Sequence, residues 1–395
     1  MKPKNLILFL IVITISINAC AKNKNSILPG AYQTNIYFPM LKGKSIGVVA
    51  NQTSMIGNVH LVDSLGKSGF NVKCVFAPEH GFRGEKGAGE HVRNSTDSAT
   101  GIKIISLYGR NLKPDVKELE GIDVIIFDIQ DVGVRFYTYI STLQYIMEAC
   151  TDNNIQLIIL DRPNPNGYYV DGPVLEKEFT SFVGMQQIPV VYGMTIGEYA
   201  SMLDGEGWLK VKKGEKCKLT IIPIKNYQHV NKYQLPVPPS PNLPDMDAVY
   251  LYPSICFFEG TRVSLGRGTE KPFRLIGYPT YPKEEVSFTP DEIAGVAKDP
   301  PYEDTLVKGI DLSGKGIMVM EEKSIQLKWL IEMYISFPQK DKFFTNFFDK
   351  LAGTTKLRKQ IMSNKSETEI KESWKKDIQS FKLIRKKYLH YPDFE

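Results

Sequence analysis

The chain has 395 residues, of which 49 are lysine or arginine and 44 are aspartate or glutamate, with 42% hydrophobic and 24% charged residues. So even a balance gives no footing for a protein that neutralises nucleic-acid phosphates, and the hydrophobic share is too high for a disordered chain. The length suits one large domain or two ordinary ones, and five irregularly spaced cysteines give no disulfide framework.

Met1 to Ala19 reads as a targeting segment. Lys2 and Lys4 precede an apolar run from Leu6 to Ile17 that is short for a bilayer span. Ile17-Asn18-Ala19-Cys20 has the form of a bacterial lipobox, so Cys20 is expected to be acylated and to become the first mature residue, with residues 20–30 as a tether. The expected product is an exported lipoprotein of the periplasm or cell envelope, held on a membrane surface by its lipid. Without Lys2 and Lys4 the net charge falls from +5 to +3. Cys74, Cys150, Cys217 and Cys256 lie in or beside apolar runs and are expected to be buried free thiols. With no Cys-x-x-Cys, His-Glu-x-x-His or calcium-loop pattern, neither a metal nor another cofactor is read from the sequence.

From Ser45 onward, apolar strands alternate with amphipathic helices. Strands are expected at Ser45–Ala50, Asn71–Phe76, Ile102–Leu107, Ile122–Asp128 and Ile155–Asp161, and helices near His60–Ser68, Asp115–Leu119 and Tyr139–Asn153. Continuous apolar strands mean a parallel sheet covered on both faces, an α/β fold. Four of these strands end in acid, amide or guanidinium groups: Asn51, Gln52 and Thr53; Glu79 and His80; Asp128, Gln130 and Asp131; Asp161, Arg162 and Asn164. In an open parallel sheet that edge is where ligands bind.

The richest strand end is the second. Pro78 stops the ladder and places Glu79 and His80 just beyond it. Gly81, Gly84, Gly87 and Gly89 allow a turn tight enough to bring Glu79, Arg83, Glu85 and Glu90 to one volume, the lesser alternative being a turn carboxylate at Glu79 held by Arg83. The loop after Ala50 has no Gly-x-Gly-x-x-Gly, so the pyrophosphate cradle of a dinucleotide enzyme is missing. In the segment from Asp128 to Tyr139, Tyr137 and Tyr139 suit either a sugar face or core packing, and Arg135 either a substrate carboxylate or an ion pair with Asp128 or Asp131. Pro163 and Pro165 stiffen the next loop, whose asparagines also fit Asx turns. Ile188–Tyr192 reads as a short strand, and Thr195 with Glu198 as a capping box, which makes Glu198 structural.

Leu235 to Pro244 holds five prolines and marks the boundary between an α/β domain at 31–235 and a smaller α+β domain at 236–395. A second glycine-rich loop, Phe258 to Thr269, carries Glu259, Arg262, Arg267 and Thr269. Facing the first loop across a cleft, Glu259 would supply a second carboxylate. Beyond it, strands are expected at Leu275–Tyr278 and Gly316–Met320, and helices at Gln326–Ile335, Phe344–Leu351 and Glu367–Lys387. Ser366 or Thr368 caps the last helix, with Phe381, Leu383, Ile384 and Tyr388 as core contacts.

Five motifs in this order, Ala77-Pro-Glu-His-Gly-Phe-Arg-Gly-Glu85, Asp128 to Tyr139, Asp161-Arg-Pro-Asn-Pro165, Gly193-Met-Thr-Ile-Gly-Glu198 and Phe258-Glu-Gly-Thr-Arg262, resemble the NamZ-type exo-β-N-acetylmuramidases of glycoside hydrolase family 171. The likeness runs on to Ile384-Arg-Lys-Lys-Tyr-Leu-His-Tyr-Pro392. It implies a Rossmann-like domain, a smaller domain, a cleft between them, and release of N-acetylmuramic acid from the non-reducing ends of peptidoglycan fragments.

Such chemistry needs an acid for the leaving oxygen and a second group at the oxocarbenium-like centre. Glu79, walled by Phe76 and Phe82, is the expected acid, oriented by His80 or Arg83. Asp128, Asp131, Glu259 and the substrate's own acetamido group compete for the second role. Arg135 or Arg267 is expected on the lactyl carboxylate, whose loss a charged site would reject. Asn51, Gln52, Glu85, Gln130, Asp161, Arg162, Asn164 and Thr269 complete the expected binding set. Two other classes share these features: a noncatalytic muropeptide-binding lipoprotein, and a cell-wall esterase, which the missing Gly-x-Ser-x-Gly elbow disfavours. The missing cradle likewise disfavours a dinucleotide oxidoreductase.

Overall fold

The computed structural model describes residues 26–84 and 94–395. Cys20, Glu85 and Glu90 lie outside the described residues, as does the targeting segment. A seven-stranded sheet is built from β1 (Ser45–Ala50), β2 (Asn71–Ala77), β3 (Ser95–Thr96), β4 (Lys103–Ser106), β5 (Val124–Asp128), β6 (Gln156–Leu160) and β7 (Leu219–Ile222). Its order is β3-β4-β2-β1-β5-β6-β7, parallel throughout except for the antiparallel edge β3. Counted alone, the six parallel strands run 3-2-1-4-5-6, the doubly wound Rossmann order.

The period-2 geometry of a strand splits these residues between two cores. Val49, Phe76, Ile125, Phe127, Leu157 and Ile159 face α3 (Tyr139–Asp152) and α4 (Ile196–Gly205). Val48, Val75, Ala77, Val124, Ile126 and Ile158 face α1 (Thr34–Leu41) and α2 (Leu61–Lys67). Both faces are dry, which is why these strands read as unbroken apolar runs. Thr195 and Glu198 form the expected capping box at the start of α4, and Cys74, Cys150, Cys217 and Cys256 are buried free thiols.

After the proline-rich crossing come α5 (Met246–Ile255) and a three-stranded antiparallel sheet, β8 (Leu275–Tyr278), β9 (Val286–Phe288) and β10 (Val307–Asp311), in the order β8-β10-β9. Five helices follow: α6 (Gly316–Glu322), α7 (Lys328–Ser336), α8 (Phe348–Ala352), α9 (Lys356–Met362) and α10 (Glu367–Arg385). The first core continues without a break through Val319, Leu330, Phe348, Trp374 and Phe381.

Several expected elements differ. Asp115–Leu119 is a turn, because Asp115 and Glu118 exchange side-chain bonds with each other's backbone N–H in a segment too short to nucleate a helix. Ile188–Tyr192 is no strand; Val191 makes isolated bridges to Val134 and Asp171. Gly316–Met320 opens α6 and is not a strand. Its N-terminus is capped from a distance by Asp247 of α5, whose carboxylate accepts from the N–H groups of Gly314 (2.8 Å) and Gly316 (2.7 Å). In α10, capped by Ser366 and Glu369, the buried face is Ile370, Trp374, Ile378, Phe381 and Arg385, so Leu383 points to solvent.

Candidate active site

A cavity of about 480 Å³ lies beyond the carboxyl end of β2, where loops of the smaller part face the sheet. Glu79 and His80 enter it from just beyond β2, Tyr137 from the turn before α3, Tyr139 from the first residue of α3, and Glu259 and Arg267 from the second glycine-rich loop. The two carboxylates, 180 positions apart in the chain, thus open onto one volume. The structure meets the cleft expectation here.

Glu79 is half-buried and its Oε1 accepts the Tyr108 hydroxyl at 3.0 Å. The backbone turns sharply after it: His80 has φ +71°, a left-handed conformation that costs a non-glycine residue about 1 kcal/mol. The buried imidazole lies 3.2 Å from the Ser240 hydroxyl of the proline-rich crossing, which holds that turn against the smaller part. The walls beside Glu79 are Tyr108, Tyr137 and Tyr139. Phe76 and Phe82, expected there, turn into opposite cores, since strand alternation sends Phe76 inward and Phe82 packs edge-on against His60.

Tyr137 donates to the Pro239 carbonyl at 2.7 Å and meets Tyr139 edge-on, while Tyr139 accepts from Asn51 Nδ2 at 2.9 Å. Burial, with Glu79 among the nearby negative charges, pushes both phenols well up, so they stay neutral hydrogen-bonding groups. Farther out, Phe136, Tyr252, Phe258 and Phe273 add aromatic surface. Arg267 Nη2 donates to Glu259 Oε1 at 2.5 Å, and its guanidinium lies 5.1 Å over the Phe273 ring. Burial works against the Arg267 charge, but Glu259 outweighs it and the pKa is raised.

The other expected strand-end groups do not line the cavity; they are bonded to one another and to neighbouring protein groups. Arg162 grips Asp128 bidentately at 2.6 and 2.9 Å, both fully desolvated. Asn51 accepts from Thr53, Gln130 donates to the carbonyls of Asp131 and Pro163, and Asn164 closes an Asx turn onto Asn166. Asp161 accepts from Thr195, Gly197 N–H and Tyr391. Asp131 is bonded to Gly133 N–H and the Tyr192 hydroxyl, and burial raises its pKa to about 6. The point where the strand order reverses, between β1 and β5, is therefore filled by protein.

Four expected substrate ligands are likewise engaged elsewhere. Arg83 pairs with Asp63 at 3.0 Å and Asp97 at 2.9 Å, so it is not the partner of Glu79. Arg135 meets neither Asp128 nor Asp131. Its guanidinium donates to four carbonyls, those of Pro173, Ile188, Leu351 and Ala352, at 2.7 to 2.8 Å. Thr269 bonds to Gly266 and Lys271 within its own loop, and Gln52 donates to the Pro239 carbonyl.

The cavity also contains residues that the sequence did not single out. Tyr108 follows β4, and Lys298 and Asp299 sit on the loop before β10. No motif or spacing marks them: Tyr108 reaches the site from the main sheet's neighbouring strand end, and Lys298 and Asp299 only through the packing of the smaller part. Among the described residues no group of three histidine, cysteine or acidic side chains is placed to hold a metal.

Two family models match the chain: exo-β-N-acetylmuramidase NamZ, N-terminal, over residues 46–247, and exo-β-N-acetylmuramidase NamZ, C-terminal, over residues 250–391. The peptidoglycan β-N-acetylmuramidase NamZ of Bacillus subtilis is 38% identical over 375 residues, covering 90% of this chain and 89% of that protein. Among solved structures, a DUF1343 family protein of Bacteroides fragilis superposes with a TM-score of 0.86 at 48% identity, covering 93% of this chain and 99% of the other. A second from the same organism gives 0.78 at 28% identity, over 93% and 100%.

Proposed function

The chain belongs to the NamZ family of exo-β-N-acetylmuramidases and is a glycoside hydrolase, and from that premise we propose that it acts on peptidoglycan, removing N-acetylmuramic acid from the non-reducing ends of fragments during cell-wall turnover. The observation that carries this reading is the shared cavity: Glu79 and Glu259, from separate parts of the fold, open onto one volume walled by aromatic rings. Aromatic faces suit the C–H faces of a pyranose, and carboxylates suit its cleavage.

In this mechanism Glu79 protonates the glycosidic oxygen, with its rotamer set by the Tyr108 hydroxyl and by the strained turn at His80. Glu259 is the protein's second group, because it shares the cavity whereas Asp128 and Asp131 do not line it and are bonded to other protein groups. Arg267 fixes the Glu259 carboxylate. We also propose that the protein is a lipoprotein acylated at Cys20, which would hold the cavity near the wall it degrades.

The test is a chromogenic β-N-acetylmuramide beside the matching glucosaminide. Release from the first alone, abolished in Glu79→Gln with product binding retained, supports the reading. No release from either substrate, or equal release from both, refutes it. Products from longer glycans distinguish exo action, which frees only the terminal sugar, from internal cleavage. Labelling with palmitate that persists in Cys20→Ala would remove the lipoprotein assignment.

A further inference from the structure

Resting on the muramidase reading above, the geometry points to Lys298 as the residue that receives the substrate's lactyl carboxylate and so separates N-acetylmuramides from N-acetylglucosaminides. The two sugars differ by that one anionic ether group. A site that prefers the anion needs a cation whose charge is not already committed. Arg135 is fully buried among four backbone carbonyls, and Arg83 and Arg162 are each held by aspartates outside the cavity. Arg267 does line the cavity, but its charge is matched by Glu259.

Lys298 lines the same cavity, is exposed to solvent, and among the described residues forms no ion pair or hydrogen bond. The backbone that carries it is held in place. Ala297 and Pro300 on either side are buried, Ala297 N–H donates to the Ile293 carbonyl at 2.9 Å, and Pro300 and Pro301 restrict the chain that follows. The Val296 carbonyl accepts from Asn242 Nδ2 at 2.9 Å, and Asp291 N–H donates to the Gly268 carbonyl at 2.9 Å, next to Arg267. The loop carrying Lys298 is thus tied both to the proline-rich crossing that holds His80 and to the loop that carries Glu259.

Charge balance also favours this assignment. The cavity already contains Glu79, Glu259 and Asp299, against Arg267 and Lys298. A substrate carboxylate entering without a cation opposite would be repelled; opposite Lys298 it forms a charge-assisted hydrogen bond.

The experiment measures kcat and KM for Lys298→Gln and Lys298→Arg on two aryl β-N-acetylmuramides, one with the free lactyl carboxylate and one with its methyl ester, and on the glucosaminide. In the parent protein the ester should be poorer than the acid by roughly 10- to 100-fold in kcat/KM, the range for one hydrogen bond to a charged group. Lys298→Gln should lose that factor through KM and treat acid and ester alike. Lys298→Arg should keep most of the preference. If Lys298→Gln still prefers the acid over the ester by the parental factor, the assignment is overturned. Failure of the parent to cleave any muramide would instead remove the muramidase reading, so the two failures are distinguishable.

Discussion

Arg135 was expected to grip substrate, and the structure makes it a cross-link, so Arg135→Met should damage the fold before it damages specificity. The guanidinium joins Pro173 and Ile188 of the larger part to Leu351 and Ala352 at the end of α8. Gly353, at φ +75°, makes room for it: a Cβ there would come 2.8 Å from Nη2. Removing the side chain strands four carbonyls, and at about 2 kcal/mol for each unsatisfied group the gross loss is about 8 kcal/mol. Part is recovered, because burial pushes the Arg135 pKa down to about 9, and relieving that desolvation returns several kcal/mol, on the order of 1.4 per pKa unit. The net loss is about 3 kcal/mol. For a chain of this length, with an unfolding entropy of roughly 0.8 kcal/mol per degree, that lowers Tm by about 4 °C. Thermal unfolding by circular dichroism, with KM measured well below the transition, checks this. An unchanged Tm with a selectively raised KM for the muramide would refute the cross-link and restore the substrate role.

Tyr108→Phe removes the hydroxyl that donates to Glu79 at 3.0 Å. Loss of this orienting bond should lower kcat on the muramide by about 2- to 10-fold, on the order of 1 kcal/mol for one hydrogen bond, with KM little changed; an unchanged kcat would show that Tyr108 does not position the acid. Asp131, raised to about 6 by burial, carries the opposite stability sign to a paired carboxylate. Its contribution is present below the unfolded value near 3.8 and is lost as pH rises through about 6, where the folded state must bury a charge. Asp131→Asn should therefore flatten the fall in urea midpoint between pH 4 and 6, and an identical slope would sink this account. Tyr391→Phe removes one of the donors to the buried Asp161 carboxylate. It should cost about 1 to 3 kcal/mol in denaturant unfolding with KM unaffected, since neither Tyr391 nor Asp161 lines the cavity.

The architecture was legible because it follows from periodicity. Apolar strands without alternation predict a doubly covered parallel sheet, and β1, β2, β5 and β6 appear within a residue or two of their expected bounds. Beyond the local Asp115–Glu118 turn, the error at α6 arose where a distant partner decides the local structure. Gly316–Met320 is short and apolar, compatible with either element, and becomes a helix because Asp247, some 70 positions earlier, caps it. The site divides in the same way. Pro78 and the glycines around His80 end β2 abruptly, so Glu79 was visible as a side chain held away from the core. Asp128, Arg162, Asp161 and Asn164 also follow strand ends and look identical by position. They differ only in finding each other: Arg162 reaches Asp128 across the gap between β5 and β6, and Asp161 finds a tyrosine from the chain's last residues. A polar group at a strand's carboxyl end can serve a ligand or close the edge of the fold, and the choice depends on whether a complementary group lies within about 3 Å. That distance is a property of packing between segments. Lys298 presents the converse case, an unremarkable lysine whose place in the cavity is set by β10 and its preceding loop, neither of which had a sequence signal of its own.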